Sequence, residues 1–431
     1  MKFRPRRLVI AIAIAIPAAL ALAGVPAHAQ DTSAFEVCID ALRRELPRHP
    51  EVRAETFAMH THDVQDLRPV IRAASDNQPE FKLPIWDYIA RLVDAQRIAD
   101  GKEVLAAQSK ALQAITLRRG VDGATVVAVF GVETDYGKVE GRHRVIDATL
   151  SRACLDLTSK ERKRHFFAAL WLLQEGLVQR DAFRGSWAGA FGLTQFMPGT
   201  FVTYMEAGDG SGTADIIGSA PDALATTANF VAGSGWVTGL RWGIEVTQPR
   251  GAARAWVAAE REHACLATNP ADKEGGGKCR TVDQWRALGI TVTQGQAPAT
   301  PGLPGATRVA LLAPGGDDGP AWLVTRNYQA IWQYNRADAY ALAIGLLSDA
   351  LRGDPPMRTA WATDDPGLSR AELRALQTEF IQRGHTEVVA DGFDGPRTRE
   401  AIRAEERLLG WPETGRAGAR IARSLKDLRP P

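Results

Sequence analysis

The sequence has little of anything that would settle a function by itself. Lysine and arginine number 52 against 50 acids, a formal net charge of only +2. So even a balance offers no basic stripe for nucleic acid, and a neutral polymer such as a polysaccharide suits it at least as well. Beyond the N-terminus no stretch reaches the ~18 unbroken apolar residues of a spanning helix. No C-x-x-C or nearby histidine pair accompanies the four cysteines, which argues against a zinc site. A G-x-x-x-x-G-K-[ST] phosphate loop is missing, as are internal repeats and low-complexity tracts.

What is present starts with a leader. Lys2, Arg4, Arg6 and Arg7 precede the apolar run Leu8 to Val25 and the small-residue end Ala27-His28-Ala29. This order reads as a secretory signal peptide over 1–29 with an A-x-A cleavage site, and no cysteine follows to take a lipid. In an exported chain four cysteines suggest two disulfides, although spacing alone allows three connectivities. Cys265 and Cys279 flank a short Gly-rich loop and are paired locally here, which leaves Cys38 with Cys154.

The length predicts about two or three domains, and 45% hydrophobic residues can build a large core. Helical spacing dominates residues 34–119, interrupted near Pro79 and Pro84, and returns over 150–177 and 340–351. Arg308 to Leu312 and Trp322 to Val324 suggest a small β-hairpin. The Pro, Gly and Asp of 353–367 read as a linker, with a compact module from 368 to the C-terminus.

One acid stands out. Val126 to Val132 is almost wholly apolar and ends on Glu133. Asp122 is a good N-cap, and a helix after it puts Val126, Val129 and Phe130 on one stripe with Glu133, ending near Gly137. A carboxyl held against apolar neighbours keeps its proton to higher pH and can act as a general acid. The same residues also allow a structural glutamate, or a strand through the β-branched run. Most glycosidases use two carboxylates. Asp135 is nearest in sequence, yet positions two apart on a helix do not face each other.

The segment Gly185 to Pro198 combines small residues with Ser186 and Gln195, which lets backbone approach a ligand closely and supplies polar contacts. Trp187, Phe191, Phe196, Trp236, Trp242 and Trp332 are read as core. Together with Gly131-Val132-Glu133-Thr134-Asp135-Tyr136-Gly137 and Arg326-Asn327-Tyr328 to Tyr334-Asn335-Arg336, this segment resembles the membrane-bound lytic transglycosylase B family, which cleaves bacterial peptidoglycan. The resemblance covers residues 35–351. It implies a mainly α, lysozyme-like catalytic domain over 30–352, with Glu133 as single acid/base and Ser186, Gln195, Tyr334 and Asn335 as substrate-binding residues. It further implies peptidoglycan glycan strands as partner, a 1,6-anhydromuramoyl product and a soluble, periplasmic protein without a cofactor.

Some members of that family carry a calcium loop after the Gly-rich segment. Here Asp209-Gly210-Ser211-Gly212-Thr213-Ala214-Asp215 has Ser and Thr where acids would help, so no metal is expected. Farther on, Leu373 to Phe380 and Asp391-Gly392-Phe393-Asp394-Gly395-Pro396-Arg397-Thr398 resemble a three-helix peptidoglycan-binding domain over 368–431, with Glu405-Glu406 where Phe-Gln is usual.

Overall fold

The computed structural model describes residues 27–76, 78–252, 262–266, 279–293 and 303–427. The signal-peptide reading lies largely outside them. The fold is mainly helical, as expected, and the helices begin where sequence chemistry starts them. Asp94, Asp122, Ser159, Ser219, Thr325 and Ser369 each accept a backbone N–H from the first turn of the helix they cap. Pro79 opens Pro79–Lys82, and Pro84 caps Ile85–Leu92. The run over 150–177 splits into Val145–Leu155 and Lys160–Gln174. Between them the Asp156 carboxylate accepts the Thr158 N–H, turning the chain before Ser159 restarts it.

The apolar run before Glu133 is a helix, Gly123–Thr134, and Ala124 through Gly131 are buried all round it. Such a helix belongs in the middle of a core. It packs against Asp338–Arg352, Ala220–Gly233 and Ala95–Ala107. A second core gathers Phe166, Phe167, Leu170, Phe183 and Phe201 under the Gly-rich segment, joined by Phe191 and Phe196. Trp242 and Trp332 are buried as well.

Strands are more numerous than the single hairpin expected. His143–Arg144 (β1) pairs with Arg184–Gly185 (β2). A five-stranded antiparallel sheet combines Gly243–Thr247 (β3), Arg280–Thr281 (β4), Thr291–Val292 (β5), Arg308–Leu312 (β6) and Ala321–Val324 (β7) in the order β4-β6-β7-β3-β5. The expected hairpin is its centre, β6 and β7. β4 and β5 have two residues each, too short for an alternating pattern.

At the C-terminal end Arg370–Gln382, Pro396–Leu408 and Ala419–Asp427 close around Leu376, Phe380, Ile402 and Leu425. Glu405 and Glu406 are buried here. The first meets His385 at 2.9 Å, and the second accepts the Thr414 hydroxyl and the Gly415 N–H. Residues 353–367 are laid against the sheet. The Arg358 and Thr359 N–H groups donate to buried Glu245 at 2.9 and 2.8 Å, and Trp361 packs on Trp86 and Trp322.

Both disulfides pair as the sequence suggested, Cys38 with Cys154 and Cys265 with Cys279. Their sequence separations are 116 and 14. Chain-entropy arguments assign about 4–5 kcal/mol to the long loop and about 3 kcal/mol to the short one. Replacing Cys38 and Cys154 by serine should therefore lower the urea midpoint more than replacing Cys265 and Cys279.

Candidate active site

Glu133 occupies the last turn of its helix. The chain then turns through three consecutive left-handed residues, Asp135 (φ 51°), Tyr136 (φ 60°) and Gly137 (φ 85°), so the reversal starts two residues before the expected Gly137. A non-glycine residue pays roughly 1–2 kcal/mol for this conformation, and neighbours must hold it there. Thr134 does part of this. Its hydroxyl donates to the Leu193 carbonyl at 2.6 Å and accepts the Gly137 N–H at 3.0 Å, tying the turn to the Gly-rich segment. Tyr136 donates to the Arg97 carbonyl at 2.9 Å. Its side chain lies where Gly131 and Gly101 leave room, since a Cβ would stand 2.5 Å from the ring at Gly131 and 2.2 Å from the hydroxyl at Gly101.

The hydrogen-bond partner of Glu133 is Tyr340, whose hydroxyl donates to Oε1 at 2.5 Å. Burial pushes the Glu133 carboxyl up to about 8, against the pull of that hydrogen bond, and the negative charge of Glu80 adds to the rise. Tyr340 and Tyr334 are raised as well, first by burial and then by the charge of Glu133, so both remain protonated donors. Their rings stack at 6.1 Å with 13° between planes.

The other predicted residues take different places. Gln195 (φ 50°), Tyr334 and Asn335 line one cavity of about 640 Å³, with Phe196, His165 and Arg336. Tyr334 donates to the Thr194 carbonyl at 2.6 Å, and Gln195 Nε2 donates to the Gly192 carbonyl at 2.9 Å. Asn335 Nδ2 reaches Glu80 at 3.3 Å. Glu133 is not among the lining residues and connects to the cavity through the Tyr340–Tyr334 stack. Ser186 does not line it either. Its Oγ accepts the N–H groups of Ala188 and Ala190, both at 3.2 Å, and so shapes its own loop.

Sequence reasoning missed Tyr340 and Glu80. Tyr340 lies 207 residues from Glu133 and reads as an ordinary core position of its helix. Glu80 lies in a one-turn helix between prolines, with no periodic signal. Asp135, the nearest second acid, is engaged elsewhere. It faces Arg97 at 3.2 Å and accepts from Arg370 at 2.8 Å.

The region matching the calcium loop satisfies its own donors. Asp222 accepts the N–H groups of Gly208, Asp209 and Asp215, while Asp209 and Asp215 accept those of Ser211, Ile217 and Gly218. These carboxylates brace the turns of their own loop. Among the described residues no group of three or more His, Cys, Asp or Glu is disposed to hold a metal ion.

Comparison with known proteins gives the family. Residues 34–349 match the family model of the transglycosylase SLT domain, and 369–425 match that of a putative peptidoglycan binding domain. Over 125 residues the chain is 37% identical to membrane-bound lytic murein transglycosylase B of Escherichia coli (strain K12), a match covering 28% of this chain and 33% of that protein. The structure resembles SltB3 of Pseudomonas aeruginosa in complex with NAG-anhNAM-pentapeptide. That likeness has TM-score 0.66 and 36% identity, over 91% of this chain and 99% of that one. Escherichia coli Slt35 in complex with calcium shares the fold at TM-score 0.58 and 21% identity, over 74% and 92% of the two chains. The chain therefore belongs to the transglycosylase SLT domain family, as a lytic murein transglycosylase with a C-terminal putative peptidoglycan binding domain.

Proposed function

We propose that the protein cleaves the β-1,4 bond between N-acetylmuramic acid and N-acetylglucosamine in peptidoglycan, using Glu133 as its one acid/base. The observation that carries this is a half-buried carboxyl at the end of a helix buried from Ala124 to Gly131, raised to about 8 and hydrogen-bonded by Tyr340. At neutral pH such a group is mostly protonated and can give its proton to the glycosidic oxygen as the C1–O4 bond breaks. The carboxylate left behind is basic enough to take the proton of the muramoyl C6 hydroxyl as O6 bonds to C1. The proton count closes without water, and the product is a 1,6-anhydro sugar. Tyr340 steadies the anion between the two steps.

Gln195, Tyr334 and Asn335 are the sugar contacts in this reading, and Ser186 shapes the Gly-rich wall. The division into a catalytic unit over 30–352, a connecting segment over 353–367 and a wall-binding unit over 368–431 follows the same reading, as does export to the periplasm after removal of 1–29. Among the described residues no helix is long and apolar enough to cross a membrane.

A second reading has one observation in its favour. Glu80, held by Asn335, is near enough to raise Glu133 and is the kind of carboxylate a hydrolytic muramidase needs to activate water. Products separate the two. Purified peptidoglycan digested by the protein should release anhydromuropeptides in mass spectra, and Glu133→Gln should release none while still sedimenting with the wall. Reducing ends from the wild type would establish hydrolysis instead.

The pH dependence has a definite sign. An acid that must be protonated fails as pH rises through its pKa, so the rate should fall above about pH 8. Tyr340→Phe removes a hydrogen bond that favours the anion. It should move this alkaline limb to higher pH and lower kcat, measured on soluble glycan strands.

A further inference from the structure

Behind the acid lies a closed set of four charges. Asp94, Arg97, Asp135 and Arg370 are each no more than 7% exposed. Arg370 donates to both carboxylates, to Asp94 at 2.7 and 3.2 Å and to Asp135 at 2.8 Å. Arg97 faces the other oxygen of Asp135 at 3.2 Å, and its own N–H is accepted by Asp94 at 2.9 Å. Three of the four lie within 94–135. The fourth, Arg370, is the first residue of the first helix of the C-terminal module. Without it, two buried carboxylates would share a single guanidinium, an uncompensated charge in a site that water does not reach.

The position of this charge matters more than its existence. Asp135 is the left-handed C-cap of the Glu133 helix and the first of three residues with positive φ. Its carboxylate is gripped from one side by the catalytic core and from the other by the module. We infer that Arg370 is a positioning residue for Glu133: the C-terminal module completes the catalytic centre by holding the strained turn that aims the acid.

This inference rests on the proposed role of Glu133, and two further ion pairs on the same interface supply its control. Arg416 meets buried Asp87 at 2.7 and 2.9 Å, and Arg91 meets Asp394 at 2.7 Å. Both fasten the module without touching Asp135. Arg416→Met therefore loosens the interface alone, whereas Arg370→Met loosens it and releases the turn. The groups that act on Glu133 are Tyr340 and Glu80, and Glu133 in turn acts on Tyr334 and Tyr88. None of them is altered by either change.

The test is a 13C titration of the Glu133 carboxyl in the full-length protein, assigned with Glu133→Gln, beside kcat and KM on soluble glycan strands. Arg370→Met should hydrate the carboxyl and move its titration to lower pH than in the wild type. It should also lower kcat about 10–100-fold, the usual penalty for a displaced catalytic group, with KM little changed. Arg416→Met should lose comparable thermal stability while keeping the wild-type titration and kcat. Arg370→Lys keeps the charge but not the two-carboxylate fork and should fall between wild type and Arg370→Met, which serves if the latter does not fold. If Arg370→Met or Arg370→Lys matches Arg416→Met in both titration and kcat, Arg370 is only a fastener and the inference is overturned. A shifted titration in a protein whose wild type makes no cleavage product would instead overturn the proposed function and leave the positioning role standing.

Discussion

A carboxyl taken out of water gives up its charge unless something nearby stabilises it, and the site is arranged around that constraint at Glu133. The helix Gly123–Thr134 is buried on every face from Ala124 to Gly131, so its last turn brings the acid to the edge of the core. One hydrogen bond, from Tyr340, partly offsets the dehydration. A second or third donor would pull the carboxyl back toward the ordinary range, leaving it ionised and idle as an acid at neutral pH. On the proposed reading the sparse solvation of Glu133 is the property that matters, and its neighbours fit it. Aromatic rings exclude water, Glu80 supplies repulsion and one phenol tempers both.

Much of this could be read from residue order, for reasons that differ by element. The Glu133 helix was open to inference because Asp122 caps it and its apolar run is continuous. The β6–β7 hairpin, the C-terminal helices and the Cys265–Cys279 pair carry equally local signals, and Cys38–Cys154 followed as the remaining pair. Contacts made across the chain were hidden. Tyr340 approaches Glu133 from 207 residues away, and β4 and β5 become strands only because the long centre of the sheet offers them an edge. The role of Asp135 was hidden for the same reason. Its partner Arg370 is 235 residues distant, so sequence proximity to Glu133 was the only relation in view.

The Glu405-Glu406 pair shows why a departure from a family pattern needs a structure. Read alone, two acids in place of Phe-Gln mark only a departure from the usual pattern. In the fold they are buried and satisfied by His385, Thr414 and the Gly415 N–H, so they tie their helix to the loops on either side of it.

The segment 353–367 has a consequence for how the two ends of the protein work together. A flexible connector lets an appended module search, and its benefit is an effective concentration that depends on connector length. Here Glu245 binds the Arg358 and Thr359 backbone, and Trp361 is wedged between Trp86 and Trp322, so little slack remains to set such a concentration. On the proposed reading, in which the C-terminal unit binds the wall, the two units would hold a strand at one fixed span, as a caliper does.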